Sequence, residues 1–544
     1  MTTDEFRFSP RANRAAEIGW MAWGDAAFER ARAEDRPILL SISAVWCHWC
    51  HVMDETSYSD PEVIAAIARA FVPIRVDNDR RPDVNARYNM GGWPTTAFLA
   101  PDGALLTGAT YLPPPQMRRA LEEIARFYAQ NKNAIAAAGP QLREKTGASA
   151  SAPLDELNDA AIEQLVETAS AAFDEEYGGF GDAPKFPQPE LLEFLLARWR
   201  ATGDPRLLAM VTRTVLGMSR GGTYDRVEGG FFRYSTTRDW SVPHFEKMAE
   251  DHAGLLRVLA KLVLFAPTEE ARTTLRSAAG YVRATLRDSQ SGLFGGSQDA
   301  DEAYFALPLE ERRRQTPPFV DRTSYTNWTC ALAGAWFYVG LALDDEAFVA
   351  EALETLDRVD AALLDAEGLA YHFLVPGGSP EVRGLLADQA AYLRALLDGH
   401  EIAGEQRLLE RARALADRTI AAFEAEDGGF YDRLDTGSLG RLVIRDRPIV
   451  DNALLAESLL RLSGLTGDGA YRTAAERALA FYAASYASAG TFGAAYARAL
   501  QRYLAPETSV RIVGAPQPTG DFREAAQRLP GAGLTVRTVP SGRA

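Results

Sequence analysis

Cysteine is scarce in this chain: three residues in 544, Cys47, Cys50 and Cys330. So few cannot form a disulfide framework, which excludes the cross-linked secreted scaffolds. Long apolar runs are also missing. No uninterrupted stretch reaches membrane-spanning length, and the N-terminus, Met1-Thr-Thr-Asp-Glu-Phe-Arg-Phe, carries acids early and no apolar segment of a secretory leader. The expected compartment is therefore the cytoplasm, with no membrane partner. Positive charge is in deficit, 58 Lys and Arg against 74 Asp and Glu, a net charge of −16. That balance argues against a general nucleic-acid partner. No phosphate loop, Rossmann fingerprint or metalloprotease string is present, and no cofactor is expected. What remains, 47% hydrophobic and 24% charged residues, is a globular composition with length for two or more cores.

The cysteines that are present stand at an informative place. Ile38 to Val45 reads as a buried strand, Cys47-x-x-Cys50 follows at once, and Val52 to Ala70 reads as helix broken near Pro61. A strand that delivers Cys-x-x-Cys to a helix N-terminus is the redox arrangement of thioredoxin-like folds. The partial positive charge of that terminus favours a thiolate on Cys47. Two other readings compete. Cys47-x-x-Cys50-His51 is also a c-type haem attachment string, and Cys47, Cys50, His48 and His51 could hold zinc. Haem attachment calls for an export route, and structural zinc usually recruits a second distant pair, whereas only Cys330 remains. Downstream, Phe71 to Val76 reads as a second strand, and Gly91-Gly92-Trp93-Pro94 precedes a third, Thr95 to Leu99. A proline at that place predicts a cis Trp93–Pro94 bond facing the cysteines. His48, His51, Trp93 and Pro94 are the expected substrate contacts of the thiol site.

Residues 1–140 are thus expected to form a thioredoxin-like α/β domain, and 141–156, small and turn-rich, a linker. From 157 to 505 amphipathic helical stretches alternate with glycine-aromatic turns. These are Tyr177-Gly-Gly-Phe180, Glu228-Gly-Gly-Phe231, Gly292-Leu-Phe-Gly-Gly296, Glu367-Gly-Leu-Ala-Tyr371, Asp427-Gly-Gly-Phe-Tyr431 and Gly490-Thr-Phe-Gly493. Helices are predicted over 158–173, 188–202, 205–221, 246–265, 268–288, 325–343, 346–364, 385–402, 405–425, 449–466 and 469–486. A helical hairpin cannot bury its apolar face alone, and a closed ring leaves no open end. The repeat therefore predicts an all-α (α/α)6 toroid. Residues 506–544 read as a short β/α tail.

Longer motifs carry a resemblance. Trp46-Cys-His-Trp-Cys-His-Val-Met-Asp54, Gly91-Gly-Trp-Pro94, Arg233-Tyr-Ser-Thr-Thr-Arg-Asp-Trp-Ser-Val-Pro-His-Phe-Glu-Lys-Met248 and Ser297-Gln-Asp-Ala-Asp301 resemble the spermatogenesis-associated thioredoxin-like family. The resemblance spans nearly the whole chain. It implies a thioredoxin-like domain joined to a six-hairpin toroid similar to those of glycosidases and acylglucosamine epimerases. It gives architecture more than reaction. The chain departs from the family pattern in a trimmed stretch between Arg81 and Gly91 and an abbreviated segment after Asp301. Ser41 also stands where thioredoxins proper carry a buried acid that helps proton transfer.

In the helical region the richest polar cluster lies between Asp225 and Asp251. Asp239, His244 and Glu246 are candidate acid and base groups, Tyr234 and Trp240 stacking platforms, and Lys247 a further contact. A carboxylate pair with aromatics suits glycoside chemistry, and a His with a second base suits proton abstraction beside a carbonyl. His244 and Lys247 would share one face of a helix start. A buried ion-pair network that pins loops is the structural alternative. Lys185 is a candidate anion contact, Asp299 and Asp301 are acids or turn caps, and Asn327 and Trp328 open a helix. Asp388 and Asp451-Asn452 open later helices at comparable places, where capping alone explains them; together they would ring one cavity. Three functions stay open: a thiol enzyme with a carbohydrate-like pocket, a non-catalytic binding or folding-helper protein, and a Cys/His metal module. The expected partner is a small molecule, carbohydrate included, or a protein thiol or disulfide.

Overall fold

The computed structural model describes residues 6–144, 157–434, 439–514 and 520–539. The chain divides into two compact units, Met1–Ala148 with Asp435–Asp446, and Ser149–Leu434 with Arg447–Ala544.

The first unit is built on β1 (Ile38–Ser43), all six of whose residues are buried. Alternate residues point to opposite faces of a strand. Ile38, Leu40 and Ile42 enter one core with Trp23, Phe28 and Tyr88, while Leu39 enters another with Met53, Tyr58, Phe71 and Phe98. A strand covered on both faces reads as a continuous apolar run, as this one does. It pairs in parallel with β2 (Val72–Asp77) and antiparallel with β3 (Thr95–Leu99), which pairs with β4 (Leu105–Ala109). Around the sheet stand α1 (Asp25–Glu34), α2 (His48–Glu55), α3 (Pro61–Ala70), α4 (Pro82–Tyr88) and α5 (Pro114–Glu144). Pro61 starts α3, and Asp60 caps it by accepting the Glu62 and Val63 N–H groups at 2.9 and 3.0 Å. The helix α5 runs into the expected linker as far as Glu144; the rest of that linker lies outside the described residues. A late segment joins this unit: Leu442 is buried in the Trp23–Phe28 core, and the Arg441 N–H donates to the Tyr88 hydroxyl at 2.7 Å.

The second unit is an (α/α)6 toroid with helices alternating outer and inner. The first half is α6 (Ala160–Ala172), α7 (Pro189–Thr202), α8 (Pro205–Arg220), α9 (Ala249–Phe265), α10 (Glu269–Tyr281) and α11 (Thr326–Leu343). The second is α12 (Glu346–Leu363), α13 (Leu386–Ala403), α14 (Gln406–Phe423), α15 (Ile449–Thr466), α16 (Gly469–Tyr482) and α17 (Ala494–Leu504). The inner helices pack in sequence, α7 on α9, α9 on α11, α11 on α13, α13 on α15, α15 on α17, and α17 returns to α7, which closes the ring. Outer helices α8, α12 and α16 are capped by Asp204, Asp345 and Asp468. The residues before α9, α11, α13 and α15 offer no side-chain cap. The glycine turns follow outer helices. Gly178 and Gly229 hold φ of +74° and +84°, and a Cβ there would strike the backbone of Arg213–Thr214 or Ser277; only glycine fits. Parallel strands Thr508–Val513 and Leu534–Val539, with helix Gly520–Gln527, form the tail. Among the described residues no helix is long and apolar enough to cross a membrane.

Candidate functional site

Cys47 and Cys50 are joined in a disulfide, Cα to Cα 5.2 Å. Cys47 is the N-cap of α2: its Sγ accepts the Cys50 N–H at 3.2 Å, and its carbonyl accepts from Cys50 and His51 at 3.1 and 3.2 Å. The first sulfur thus sits where the helix directs its unpaired N–H groups. Both cysteines are buried, at 5% and 2% exposure, whereas Trp49 beside them is 49% exposed. Trp49 leans on Tyr111, centroids 5.3 Å apart. Trp46 is buried, donates to Asp79 at 2.6 Å, and meets Trp93 edge-on at 5.8 Å. The Trp93–Pro94 bond is cis, as expected; Trp93 is part-exposed and Pro94 buried. His48 is exposed, and His51 uses Nε2 on the Val45 carbonyl at 3.1 Å. No group of three or more His, Cys, Asp or Glu converges on a metal position among the described residues.

On β1, Ser41 is 1% exposed. Its neighbour Tyr58 has its hydroxyl pushed up by burial. The buried carboxylate Asp54, one helical turn after Cys50, is engaged by Arg75 at 2.7 and 3.0 Å.

In the toroid, the expected helix start at 246 is corrected: α9 begins at Ala249, and His244 and Lys247 lie on two short strands, Pro243–His244 and Lys247–Met248. They share no helical face. Lys247 is fully buried, with Nζ bonded to Asp225 and to the Gly229 carbonyl, both at 2.8 Å. Lys185 repeats this arrangement one hairpin earlier, bonded to Asp174 at 2.6 Å and the Gly178 carbonyl at 2.9 Å. Trp240 is also fully buried, against Gly179, Gly217 and Gly221. The structure therefore places Lys185, Lys247 and Trp240 inside the glycine turns, the two lysines as internal clamps. Two further residues act as caps. Asp239 is exposed but tied in its own turn to Ser241 Oγ at 2.6 Å, which with Thr237 holds its carboxyl down to about 2. Asp301 caps the short helix Glu302–Phe305. Asp299 is 7% exposed and accepts the Ala300 N–H.

The remaining residues gather at the N-terminal ends of the inner helices. His244 Nδ1 and Glu246 Oε2 are 2.5 Å apart, and His244 stacks on Tyr234 at 4.8 Å, which stacks on exposed Phe186 at 4.6 Å. Asn327 donates its N–H to Asp388 Oδ1 at 3.0 Å, Trp328 packs on Tyr325, and His372 Nδ1 stands 3.0 Å from both Asp388 oxygens. The sequence left His372 without a role.

The repeat sorts this cluster further. Asp251, Asp388 and Asp451 occupy the third position of α9, α13 and α15. The fourth is His252, Gln389 or Asn452, and each accepts a backbone N–H from its own glycine turn: Phe231 at 2.9 Å, Ala370 at 3.0 Å, Phe430 at 2.6 Å. The fourth position is a structural tie, and of the acids at the third Asp388 is already held by His372 and the Asn327 N–H. Burial, then the charges of Asp388, Asp432 and Glu250, push Asp451 up to about 7. Burial, then Glu250, push Asp251 up to about 7 against the pull of Arg233, and Asp251 Oδ2 is buried without a partner. Glu250 is exposed, and desolvation by its surroundings raises its carboxyl too. Glu250 is a candidate that sequence reasoning passed over, and Asp251 stood in the polar cluster without a role. A first-turn acid is ordinary at a helix start; the signal was the matching register of three of them.

Residues 9–146 match the Thioredox_DsbH model, described as a protein of unknown function, DUF255. Human spermatogenesis-associated protein 20 is 35% identical over 338 residues, 55% of this chain and 42% of its own length. The chain thus spans less than half of the curated relatives it matches. A thiol:disulfide interchange protein, DsbD, of Pseudomonas fluorescens is 30% identical over 81 residues, 14% of each chain. Among solved structures, cellobiose 2-epimerase of Bacillus thermoamylovorans overlaps 62% of this chain and 87% of its own, at 12% identity and a TM-score of 0.49.

Proposed function

Taking the chain as a relative of the spermatogenesis-associated thioredoxin-like proteins, we propose that it is a thiol–disulfide oxidoreductase whose reacting atoms are the sulfurs of Cys47 and Cys50. One observation carries this: a Cys-x-x-Cys disulfide whose first sulfur caps a helix N-terminus. In the reduced protein that position stabilises a Cys47 thiolate. The thiolate attacks one sulfur of a substrate disulfide. A Cys47–substrate disulfide forms, and the other substrate sulfur leaves as a thiolate and takes a proton. Cys50 then loses its proton and attacks Cys47 Sγ. The second substrate thiol leaves, and the Cys47–Cys50 disulfide remains. A dithiol donor returns the pair to the reduced state; a reducing compartment such as the cytoplasm supplies one. Exposed Trp49 offers the apolar face on which a peptide substrate would lie. With Ser41 in place of a buried acid and Asp54 engaged by Arg75, the proton of Cys50 must pass to solvent or to a neighbouring His, and the second step is the slow one.

The test is thiol chemistry on the purified protein: alkylation of Cys47 and Cys50 against pH, then equilibration in defined thiol–disulfide buffers. A Cys47 thiol of low pKa and a reversible intramolecular disulfide support the proposal, and Cys50→Ser should trap a mixed disulfide with substrate. Two ordinary thiols that never pair would sink it, and would favour a docking or folding-helper role for the first unit.

A second reading concerns the toroid mouth. There Asp251 has an unpartnered carboxyl oxygen and both Asp251 and Asp451 are held near neutrality, beside the Tyr234–His244 stack and the His244–Glu246 pair. Acids poised near pH 7 suit general acid–base chemistry on a small polyhydroxylated substrate. Binding to a panel of sugars, lost on Asp251→Asn, would test it.

A further inference from the structure

Glu250, Asp251 and Asp451, at the starts of inner helices α9 and α15, make no hydrogen bond and no ion pair among the described residues. The acids beside them do. Asp388 holds His372 and the Asn327 N–H, and Glu246 holds His244.

Capping does not account for the unpaired three. An acid that caps a helix accepts a backbone N–H, as Asp204 accepts that of Arg206 and Asp468 that of Ala470, both at 3.0 Å. None of the three does. The surrounding charge does not account for them either. Asp451 faces Asp388, Asp432 and Glu250, all negative. Glu250 and Asp251 face one cation, Arg233, and Asp251 also faces Glu250 and Glu246. Burial first, then the neighbouring acids, hold Asp251 and Asp451 up at about 7, whereas Asp239, tied in its own turn, goes down to about 2. Asp251 Oδ2 is buried with no donor. Buried polar groups ordinarily find partners, and a buried charge left uncompensated is costly.

The charge these acids call for is not that of a bare metal ion, because no three His, Cys, Asp or Glu side chains converge on one point among the described residues. It suits a larger, organic cation. Beside the acids stands an aromatic platform: Phe186, 43% exposed, stacks on Tyr234, and Tyr234 stacks on His244. Glu246 joins platform to acids. It bonds His244, and its charge adds to burial in raising both the Tyr234 hydroxyl and Asp251.

We infer that the toroid mouth binds a sugar that carries a protonated amine, an inference that rests on the second reading of the mouth above and narrows it. The ammonium has three N–H donors and no acceptor. It donates to Asp251 Oδ2, and its charge relieves the repulsion at Glu250 and Asp451. The C–H face of the ring lies on the Phe186–Tyr234–His244 stack, as apolar groups do on aromatic faces. A neutral sugar would leave the three acids facing one another. An acidic sugar would add a further negative charge.

The experiment is isothermal titration calorimetry of the full chain with glucosamine, galactosamine and mannosamine, each against its parent sugar and its N-acetyl form. At least one free amine should bind about tenfold or more tighter than both neutral counterparts, as a hydrogen bond to a charged group gives. At about pH 6 the amine is fully charged and the two acids are not, so its binding should release protons, read from two buffers of different ionisation enthalpy. Glu250 is exposed and bonds nothing, so Glu250→Gln should fold and should narrow the gap between amine and neutral sugar. Amines that bind no better than their neutral counterparts overturn the inference and leave the sugar reading standing. If no sugar of any kind binds, both fall. Ethanolamine that binds as tightly as the amino sugars overturns the inference by removing the sugar from it. A preference unchanged in Glu250→Gln, or amine binding with no proton released, overturns it by placing the cation away from these acids.

Discussion

Lys247→Met is the sharpest test of the claim that the turn lysines are internal clamps. The side chain is fully buried, and its Nζ gives hydrogen bonds to Asp225 Oδ2 and to the Gly229 carbonyl, both at 2.8 Å. Tyr281, Phe232 and Phe305 surround it, ring centroids 4.2 to 5.0 Å from Nζ. Methionine keeps the aliphatic volume and suits those rings, so what is lost is the charge and its two bonds. Breaking a buried pair by removing one partner costs about 3–5 kcal/mol. Here Asp225 keeps Arg312 at 2.7 Å and the Val227 N–H at 2.9 Å, which places the loss near the lower end, about 3 kcal/mol. Lys185→Met should cost about the same, because Asp174 retains Arg238 at 2.8 and 2.9 Å. Arg206→Met serves as the control: its pair with Asp204 is on the surface, with the Arg206 side chain 81% exposed, and its loss should leave the midpoint nearly unchanged. Urea unfolding followed by far-UV circular dichroism reads all three. If Lys247→Met shifts the midpoint no more than Arg206→Met does, the lysine is not a clamp, and a ligand-facing role returns.

Further outcomes follow from other parts of the molecule. Asp251 and Asp451 have folded pKa values near 7 against the usual 3.8, so the folded state keeps protons that the unfolded chain releases. Stability should therefore fall as pH rises from about 4 to 7; Asp251→Asn should raise Tm at pH 8 and leave it unchanged at pH 4, and an equal effect at both would refute the assignment. Cys330 is fully buried and burial pushes its thiol well up, so after mild reduction a maleimide should label Cys47 and spare Cys330 until the chain unfolds; mass spectrometry of the labelled peptides decides. A Cβ at Gly217 would collide with the Tyr177 carbonyl and come within 3.4 Å of the Trp240 ring, so Gly217→Ala should cost about 1–3 kcal/mol, read as a lower Tm.

How much of this was legible in the chain depends on how far each interaction reaches. The thiol site is largely local: strand, cysteines and helix N-terminus lie within 38–55, and one distant part, Trp93–Pro94, announced itself by a proline before an apolar strand. The helices were legible for the same reason, since caps such as Asp204, Asp345 and Asp468 bond backbone two residues on. The lysine clamps were not, because their counter-ions lie 11 and 22 residues away and a loop lysine read alone is a solvated charge. Leu442 was hidden further, being an ordinary leucine in the toroid's own stretch of sequence that packs in the first unit's core. The arginines of the inner helices were hidden by still longer separations. Arg498 meets Glu190 across 308 residues of sequence and Arg394 meets Glu193 across 201, so each helix on its own shows charges without their partners on a mostly apolar stripe, which periodicity treats as errors or surface residues. The turns, however, were a visible repeat, and a repeat maps equivalent positions. Aligning the chain on its glycine turns brings His252, Gln389 and Asn452 into one column and Asp251, Asp388 and Asp451 into the column before it. The first column varies among side chains that share only an acceptor atom, as a structural tie to one backbone N–H requires. The second keeps an identical acid three times, although one of them pairs with a His and another has no partner for an oxygen. A tie explains the variation in the first column and not the constancy in the second, and that difference is the reason to look for substrate at the acids.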